Sequence, residues 1–304
     1  MMFFRALAFT QIDGSPSAIG NPANVVLFNN TEDMNGELMS QISTSKLPIT
    51  VFLKRRGDSN EFDLRYYTVD GKEFGLCGHG TICASGILKT FCDPQLDDII
   101  FHLSDGRAIN SKVTKNSATI GFSSALVSDL EDELIRKKIC AIFKINENDV
   151  RNFYKSELLR DYLIYLKDST LVRNLKPDVK LLEEFAKEFD SRGVMTLGNS
   201  DMSNIDVEVR VFSHLLVGKR EGDGEDIACG SSNCSVASIL EKESYKVVFP
   251  YQYAATGNFG GFQNVAYDKE KKTINLTGGY KTEENDNFLS ISDLSLTSTS
   301  FFNK

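Results

Sequence analysis

Two stretches of the sequence decide the fold: "GLCGHGTICASG", Gly75 to Gly86, and "ACGSSNCSVASIL", Ala228 to Leu240. In each stretch a cysteine precedes a glycine and opens a run of mainly small and aliphatic residues. Neither run (79–88 and 231–240) contains a charged residue. A surface helix needs a polar face, so a helix that is uncharged on every side is expected to be buried. The two runs therefore predict two central helices, each with a thiol at its N-terminus.

The two cysteines, Cys77 and Cys229, are separated by half the length of the 304-residue chain. Single hydrophobic cores usually stop growing near this chain length, which favours two domains. Runs such as "TVFLKR" (Thr50 to Arg55) and "VEVRVF" (Val207 to Phe212) have the β-branched and aromatic content of strands. We predict an α+β fold of two pseudo-symmetric domains, residues 1–123 and 124–287. Each is expected to be a strongly curved, barrel-like mixed sheet wrapped around its central helix.

The composition excludes several classes of function. A net charge of −8 argues against nucleic-acid binding, which needs a basic face. No run reaches the eighteen apolar residues of a membrane span. Six cysteines without a secretion signal indicate reduced thiols and a cytoplasmic location. No cysteine spacing is typical of a metal site, and no Walker or dinucleotide motif asks for a cofactor; a pyridoxal-phosphate lysine stays open. We expect a small-molecule substrate, and a homodimer remains a possibility.

The start of a buried helix suits one kind of chemistry. Its unpaired backbone N–H groups and partial positive charge favour an anion such as a carboxylate. The expected cradle consists of Gly78 and Gly80 in the first stretch and Gly230, Ser231 and Ser232 in the second. The same field lowers the pKa of a thiol. If the halves face each other across a cleft, one thiolate removes the α-proton of a bound carboxylate while the opposing thiol delivers another. For the other four cysteines we expect a small buried hydrophobe.

The residues around both cysteines resemble a known superfamily. "RYYTVDGKEFGLCGHGTICASG" (Arg65 to Gly86) is similar to the diaminopimelate epimerase pattern in which DG-x-E leads to MCGNG-x-x-C. "GDGEDIACGSSN" (Gly222 to Asn233) resembles the epimerase GxGET-x-ACGTG and also the EDP-x-TGS of PhzF-like isomerases. "AIGNPANVVLF" (Ala18 to Phe28) looks more like PhzF-like proteins. The resemblance implies a cofactor-independent isomerase, racemase or epimerase with Cys77 and Cys229 as its acid/base pair, and strands near 288–304 that return to the first domain.

The resemblance also suggests roles for three further residues. His79 is what PhzF-like proteins and proline racemases carry at this position, where it would bond a substrate carboxylate or relay a proton; the alternative is a helix N-terminal residue whose polar atoms are satisfied locally. Asn21 would line the substrate pocket, although Asn-Pro is also a frequent turn. Asp226 is either a second acid/base or a carboxylate favoured by the helix dipole. Both alternatives stay open for Asn21 and for Asp226.

Two departures from the family patterns keep other functions open. Ile49 stands where PhzF-like isomerases carry a catalytic glutamate, and Arg220-Glu221 reverses the Glu-Arg pair of diaminopimelate epimerase. The absent glutamate together with both cysteines favours a thiol pair. The alternatives are PhzF-type proton-shift isomerisation with Asp226 and His79, non-catalytic small-molecule binding, and thiol redox sensing. The charged loop 218–226 is either a solvated loop or a lid beside Cys229.

Overall fold

The structure is a computed structural model that describes residues 1–9, 21–29, 31–44, 49–125, 127–217, 224–227, 229–250 and 261–283. Its strands are β1 (Met2–Phe9), β2 (Asn21–Phe28), β3 (Ile49–Arg55), β4 (Glu61–Thr68), β5 (Glu73–Phe74), β6 (Asp98–His102), β7 (Ala108–Val113), β8 (Ser117–Ser123), β9 (Ser128–Asp129), β10 (Val150–Ser156), β11 (Asp161–Leu166), β12 (Gly193–Asn199), β13 (Val207–Phe212), β14 (Glu225–Asp226), β15 (Ser244–Phe249), β16 (Gly261–Asp268) and β17 (Thr273–Glu283). Its α-helices are α1 (Gly36–Ser43), α2 (Gly78–Ile87), α3 (Glu133–Phe143), α4 (Ser169–Asn174), α5 (Val179–Glu188) and α6 (Asn233–Leu240).

The chain divides into two compact units. The first unit consists of Met1–Ala8, Pro22–Ile120 and the segment that begins at Gly279. The second consists of Gly121–Gly278 together with Asn21. The strands expected near 288–304 and the pair Arg220-Glu221 lie outside the described residues.

The sheet of the first unit closes on itself as a ring of eight strands. β1 pairs with β2, β2 runs parallel to β3, β3 is antiparallel to β4, and β4 is parallel to β6. β6, β7 and β8 follow as antiparallel neighbours, and β17 closes the ring by pairing with both β8 and β1. The closed, barrel-like α+β architecture expected from the sequence is therefore confirmed.

The second unit repeats this order of pairings. β10 is antiparallel to β11, β11 is parallel to β12, β12 is antiparallel to β13, and β13 is parallel to β15. β15, β16 and β17 complete the series as antiparallel neighbours. The short strands also correspond, since β5 pairs with β4 as β14 pairs with β13. The two units thus share one topology, although their sequences show little repetition.

Contacts around its circumference show that α2 is buried inside the ring. The Tyr66 hydroxyl of β4 hydrogen-bonds the Thr81 hydroxyl at 2.6 Å, and Ser85 bonds Ser111 of β7 at 2.8 Å. Of the ten residues of α2, only His79 is not buried. Because the side chains of α2 are small, the strands of the sheet can pack close to the helix backbone on all sides.

The burial of α6 is less complete than the uncharged run predicts. Residues 230–232 form a 3₁₀ turn, and α6 itself begins at Asn233, whose amide donates to Gln263 of β16 at 2.5 Å. The helix is buried from Asn233 to Ala237, and its last turn is half-buried. The expectation of four buried structural cysteines holds for Cys83, Cys140 and Cys234 but is wrong for Cys92, which is exposed.

Candidate active site

Four of the six α-helices in the described part of the chain carry an ordinary side-chain cap. Asn35, Asp132, Asp168 and Asp178 precede α1, α3, α4 and α5, and each accepts hydrogen bonds from the first backbone N–H groups of its helix. Such caps satisfy donors that a helix leaves unpaired at its N-terminus. Cys77 before α2 and Cys229 before the 230–232 turn occupy the same position but make no side-chain capping bond. The thiols are therefore not engaged in capping these N-termini.

Cys77 has a histidine beside it. Its backbone is extended, with φ −142° and ψ 106°, and its residue is 6% exposed. The sulfur lies 3.5 Å from Nδ1 of His79, within hydrogen-bonding range for sulfur. The imidazole can accept or return a proton, so this pair can exchange a proton between sulfur and nitrogen.

Gly80 holds the Cys77 thiol close to the sheet. A Cβ atom at Gly80 would lie 2.8 Å from Cδ1 of Ile49, 2.9 Å from Cγ2 of Val51 and 3.3 Å from the sulfur of Cys77. Only a glycine permits this approach of α2 to β3. Ile49, which occupies the position of the family's glutamate, thus presents an alkyl group to the region of the thiol. An isoleucine cannot move a proton, whereas the thiol of Cys77 and the imidazole of His79 are both able to carry one.

Cys229 has a serine at the corresponding place. Its sulfur lies 3.4 Å from Oγ of Ser231, two residues along the chain, as His79 is from Cys77. The hydroxyl of Ser232 points elsewhere, because it donates to the carbonyl of Cys229 at 2.6 Å. Of the two serines named from the sequence, only Ser231 therefore has its side chain on the thiol.

The structure corrects the expectation that the helix field makes Cys229 acidic. The pKa of the Cys229 thiol is raised from its ordinary value of 9.0 to about 12, chiefly by burial and also by the carboxylate of Asp226, while the nearby Arg192 guanidinium and Ser231 act to lower it. The loss of hydration outweighs the dipole because the residue is only 6% exposed. At neutral pH Cys229 is a thiol, and it can serve as a proton donor.

Asp226 is held by Asn21. The side-chain amide of Asn21, which is 1% exposed, donates to Oδ1 of Asp226 at 2.6 Å. Asn21 and Asp226 are more than 200 positions apart in the sequence, and both were suggested by the resemblance. The fold brings them together in the second unit. The bond orients a half-buried carboxylate three residues before Cys229.

Each short strand before a cysteine is tied to its neighbour by an arginine-glutamate pair, which sequence reasoning missed. In the first unit Arg65 of β4 binds Glu73 of β5, with 2.7 Å between Nη2 and Oε2. In the second unit Arg210 of β13 binds Glu225 of β14 through two bonds of 2.7 Å. The first pair is about 30% exposed, whereas the second is 3–4% exposed. The two half-sites share this support, and its only sequence signal was the acidic residue in "DGKEF" and "DGED".

Arg210 also organises the backbone around it. Its Nη1 donates to the carbonyls of Val172 and Leu175, at 3.1 and 2.8 Å, as well as to that of Arg173. Every nitrogen of this buried guanidinium therefore has a hydrogen-bond partner. Its position fixes Glu225 and therefore the adjacent Asp226.

The structure brings predicted site residues together in three pairs: Cys77 with His79, Cys229 with Ser231, and Asp226 with Asn21. Gly78, Gly80 and Gly230 supply backbone at the two helix starts. Within the described ranges, no three His, Cys, Asp or Glu side chains are grouped to hold a metal ion. No helix in that same part of the chain is long and apolar enough to cross a membrane.

Comparisons with known proteins place this chain in a family. The family model PhzC-PhzF, described as phenazine biosynthesis-like protein, matches residues 8–284. No curated protein sequence matches the chain significantly. The resemblance drawn from the cysteine motifs is thereby confirmed.

Solved structures with the same fold include two PhzF-family proteins. The one from Enterococcus faecalis has a TM-score of 0.71 and 19% identity, covering 93% of this chain and 98% of that one. The one from Clostridium difficile strain 630 has a TM-score of 0.70 and 22% identity, covering 94% and 100%. A protein from Pseudomonas aeruginosa described as a predicted epimerase has a TM-score of 0.68 and 16% identity, covering 95% and 99%. At these identities the likeness establishes the fold.

Proposed function

The chain belongs to the PhzC-PhzF family of phenazine biosynthesis-like proteins, and from that premise we propose that it is a cofactor-independent isomerase of the racemase or epimerase kind. Its substrate is a small, amino-acid-like metabolite, and the reaction moves a proton at the carbon beside a carboxylate. One observation carries the proposal: in both units a cysteine that makes no capping bond precedes a buried, uncharged helix start. The description of a fold neighbour as an epimerase supports the same class of reaction.

The surroundings of the two thiols favour different roles for them. Cys77 has an imidazole nitrogen 3.5 Å from its sulfur, so the proton of the thiol can pass to His79 and leave a thiolate that acts as base. Cys229 is buried, and its raised pKa keeps it protonated. In the proposed reaction Cys77 removes the α-proton from one face of the substrate carbon and Cys229 gives its proton to the other face. In the reverse direction the roles exchange.

The substrate carboxylate is proposed to bind the backbone N–H groups at the two helix starts. Gly78 and Gly80 belong to the first turn of α2, and Gly230 and Ser231 to the turn before α6. The partial positive charge at these N-termini stabilises the negative charge that develops on the carboxylate as the α-proton leaves. The overall charge of −8 makes such local donors more important for attracting an anion.

The first test needs no knowledge of the substrate. The protein is incubated in heavy water with a panel of amino acids and related carboxylates, and proton NMR follows the loss of each α-proton signal. The proposal expects deuterium incorporation into at least one compound, accompanied by its inversion. A panel that shows saturable binding but no exchange would establish a non-catalytic binding protein instead.

Single-cysteine variants then test the two-base mechanism. In Cys229→Ala, Cys77 still exchanges the α-proton of the antipode that faces it, but inversion is lost because no group delivers a proton to the other face. Cys77→Ala is expected to show the complementary behaviour with the opposite antipode. Inversion should fall by about 10²–10⁴-fold in each variant. Cys92→Ala is the matched control, because Cys92 is exposed and outside the site.

A second mechanism is favoured by one specific contact. The bond from Asn21 to Asp226 orients a carboxylate that could itself move a proton, as in PhzF-type isomerisation. In that case Asp226→Asn abolishes exchange while both cysteine variants keep the wild-type rate. The two mechanisms therefore predict opposite patterns across the same three variants.

A further inference from the structure

We propose that Arg192 is a positioning residue for Cys229: it holds the Ser231 hydroxyl so that the hydroxyl proton points at the sulfur. The inference rests on the proposed role of Cys229 as a proton carrier. It assigns to Ser231 a task other than substrate binding, and it brings in an arginine for which the cysteine motifs give no signal.

Arg192 is fixed in place by Asp161. Asp161, the first residue of β11, has a side chain that is 2% exposed and receives Nε of Arg192 at 2.8 Å and also its Nη2. Although burial opposes its charge, the Asp161 carboxylate raises the pKa of Arg192, so the guanidinium stays protonated. The two-pronged bond to Asp161 determines the plane of the guanidinium and therefore the direction of its remaining nitrogen.

That remaining nitrogen reaches the hydroxyl of Ser231. Nη1 of Arg192 lies 2.8 Å from Oγ of Ser231. A guanidinium can only donate, so the serine oxygen is the acceptor in this bond. The single hydroxyl proton of Ser231 is then left for another partner, and the sulfur of Cys229 lies 3.4 Å away. In the proposed relay Arg192 donates to both Asp161 and Ser231, and Ser231 donates its remaining proton to the sulfur of Cys229.

The charges facing Cys229 within the second unit explain what the arrangement achieves. Asp226 and Asp161 both disfavour a thiolate, and Arg192 is the cation that favours one. When Cys229 gives its proton away, the new thiolate receives a hydrogen bond from Ser231, whose hydroxyl is polarised by Arg192. Hydrogen bonding to the charged form favours that form. The relay offsets part of the burial that keeps Cys229 protonated at rest, so that the thiol can cycle.

The chemical reactivity of the thiol tests this relay without any substrate. The full-length protein is treated with iodoacetamide at pH 9, and mass spectrometry follows alkylation of the peptide that contains Cys229. Because the thiolate is the reacting form, one unit of higher pKa slows alkylation tenfold. Ser231→Ala and Arg192→Met are each expected to slow alkylation of Cys229 by about tenfold. Arg192→Lys, which keeps the charge and a donor, should recover part of the rate.

Two features of the design keep the outcome clear. A loosened or unfolded pocket would expose Cys229 and speed its alkylation, so the expected slowing cannot come from structural damage. Arg160→Met is the matched control: it removes a neighbouring cation that pairs with Asp190 on the surface, and it should leave the rate unchanged. In the Ser231→Ala background, Arg192→Met should slow alkylation less than it does in wild type, because the relay is already broken and only the direct influence of the Arg192 charge on the thiol is left to lose.

An unchanged or faster rate in Ser231→Ala or Arg192→Met, or a fully additive double variant, would overturn the relay. This result is independent of catalysis. If the variants show the relay but the protein exchanges no α-proton, the proposed function is wrong. If the protein exchanges α-protons but the variants leave the reactivity of Cys229 unaltered, only the relay is wrong.

Discussion

Replacement of Gly86 by alanine is a test of how tightly the first sheet surrounds α2. Gly86 lies in the last turns of this helix, opposite the ring of Tyr280 in β17. A Cβ atom at Gly86 would lie 2.4, 2.6 and 2.7 Å from three ring carbons. Ordinary contacts of this kind begin at 3.4 Å, so the ring would have to withdraw by about 1 Å. The Tyr280 hydroxyl donates to the carbonyl of Thr114 at 2.6 Å, and this bond opposes the withdrawal.

The sign of the effect depends on which of two contributions is larger. Alanine is favoured over glycine in a helix interior by ~1 kcal/mol. Overpacking a close-packed core costs ~1–3 kcal/mol, and loss of the Tyr280 hydrogen bond adds ~1 kcal/mol. We therefore expect Gly86→Ala to lower the free energy of unfolding by ~1–3 kcal/mol, although the same change would stabilise an exposed helix.

Urea denaturation followed by far-ultraviolet circular dichroism measures this change. Gly36→Ala is the control, because a Cβ atom there would meet only the Tyr67 hydroxyl, at 3.7 Å, and the variant should be no less stable than wild type. In a Tyr280→Ala background, Gly86→Ala should regain the stabilisation expected from helix propensity. A Gly86→Ala protein more stable than wild type would show that the contact with Tyr280 is not as close as described.

Three further predictions concern the site. Arg210→Met should cost ~3–5 kcal/mol in the free energy of unfolding, because it leaves Glu225 buried without its partner, whereas Arg65→Met, at the partly exposed pair, should cost under ~1 kcal/mol; similar losses in urea denaturation would contradict the difference in burial. The raised pKa of Cys229 means that the folded protein keeps a proton which the unfolded chain releases above pH 9, so its contribution to stability is complete below pH 9 and is lost as the pH approaches 12. The denaturation midpoint should therefore decrease less between pH 8 and pH 10 in Cys229→Ser than in wild type. An equal decrease in both proteins would argue against the burial of this thiol. Gly80→Ala should slow α-proton exchange at least about tenfold, because the new methyl group displaces the sulfur of Cys77; exchange at the wild-type rate in NMR would contradict this.

Local patterns predicted many of the elements. The run from Thr50 to Arg55 became β3 (Ile49–Arg55), the run from Val207 to Phe212 is β13, and the uncharged run from His79 became α2. These segments are strongly apolar or uncharged throughout, so burial and local preference agree. The strands β10, β15 and β16 were not predicted, because polar residues interrupt their apolar pattern and their pairing comes from distant neighbours.

The supports of the site were harder to predict than the thiols. Cys77 and Cys229 stand in distinct local motifs, so their positions at the two helix starts could be inferred. Arg192 lies 39 residues before the serine it contacts, and Arg210 lies 15 residues before its glutamate. Such pairs depend on strand register and on burial, which a single sequence does not encode locally. The elevated pKa of Cys229 has the same origin, since it arises chiefly from burial in the folded protein.

The closing strand of the first ring has a consequence for biosynthesis. β17 separates β1 from β8, yet its residues near Gly279 are among the last of the described chain to leave the ribosome. Until they emerge, the nascent N-terminal half has two unsatisfied strand edges, which are sites of unwanted association between polypeptides. The N-terminal half therefore cannot complete its fold before β17 has been translated. Truncation upstream of Gly279 should yield a product that aggregates rather than an independent domain.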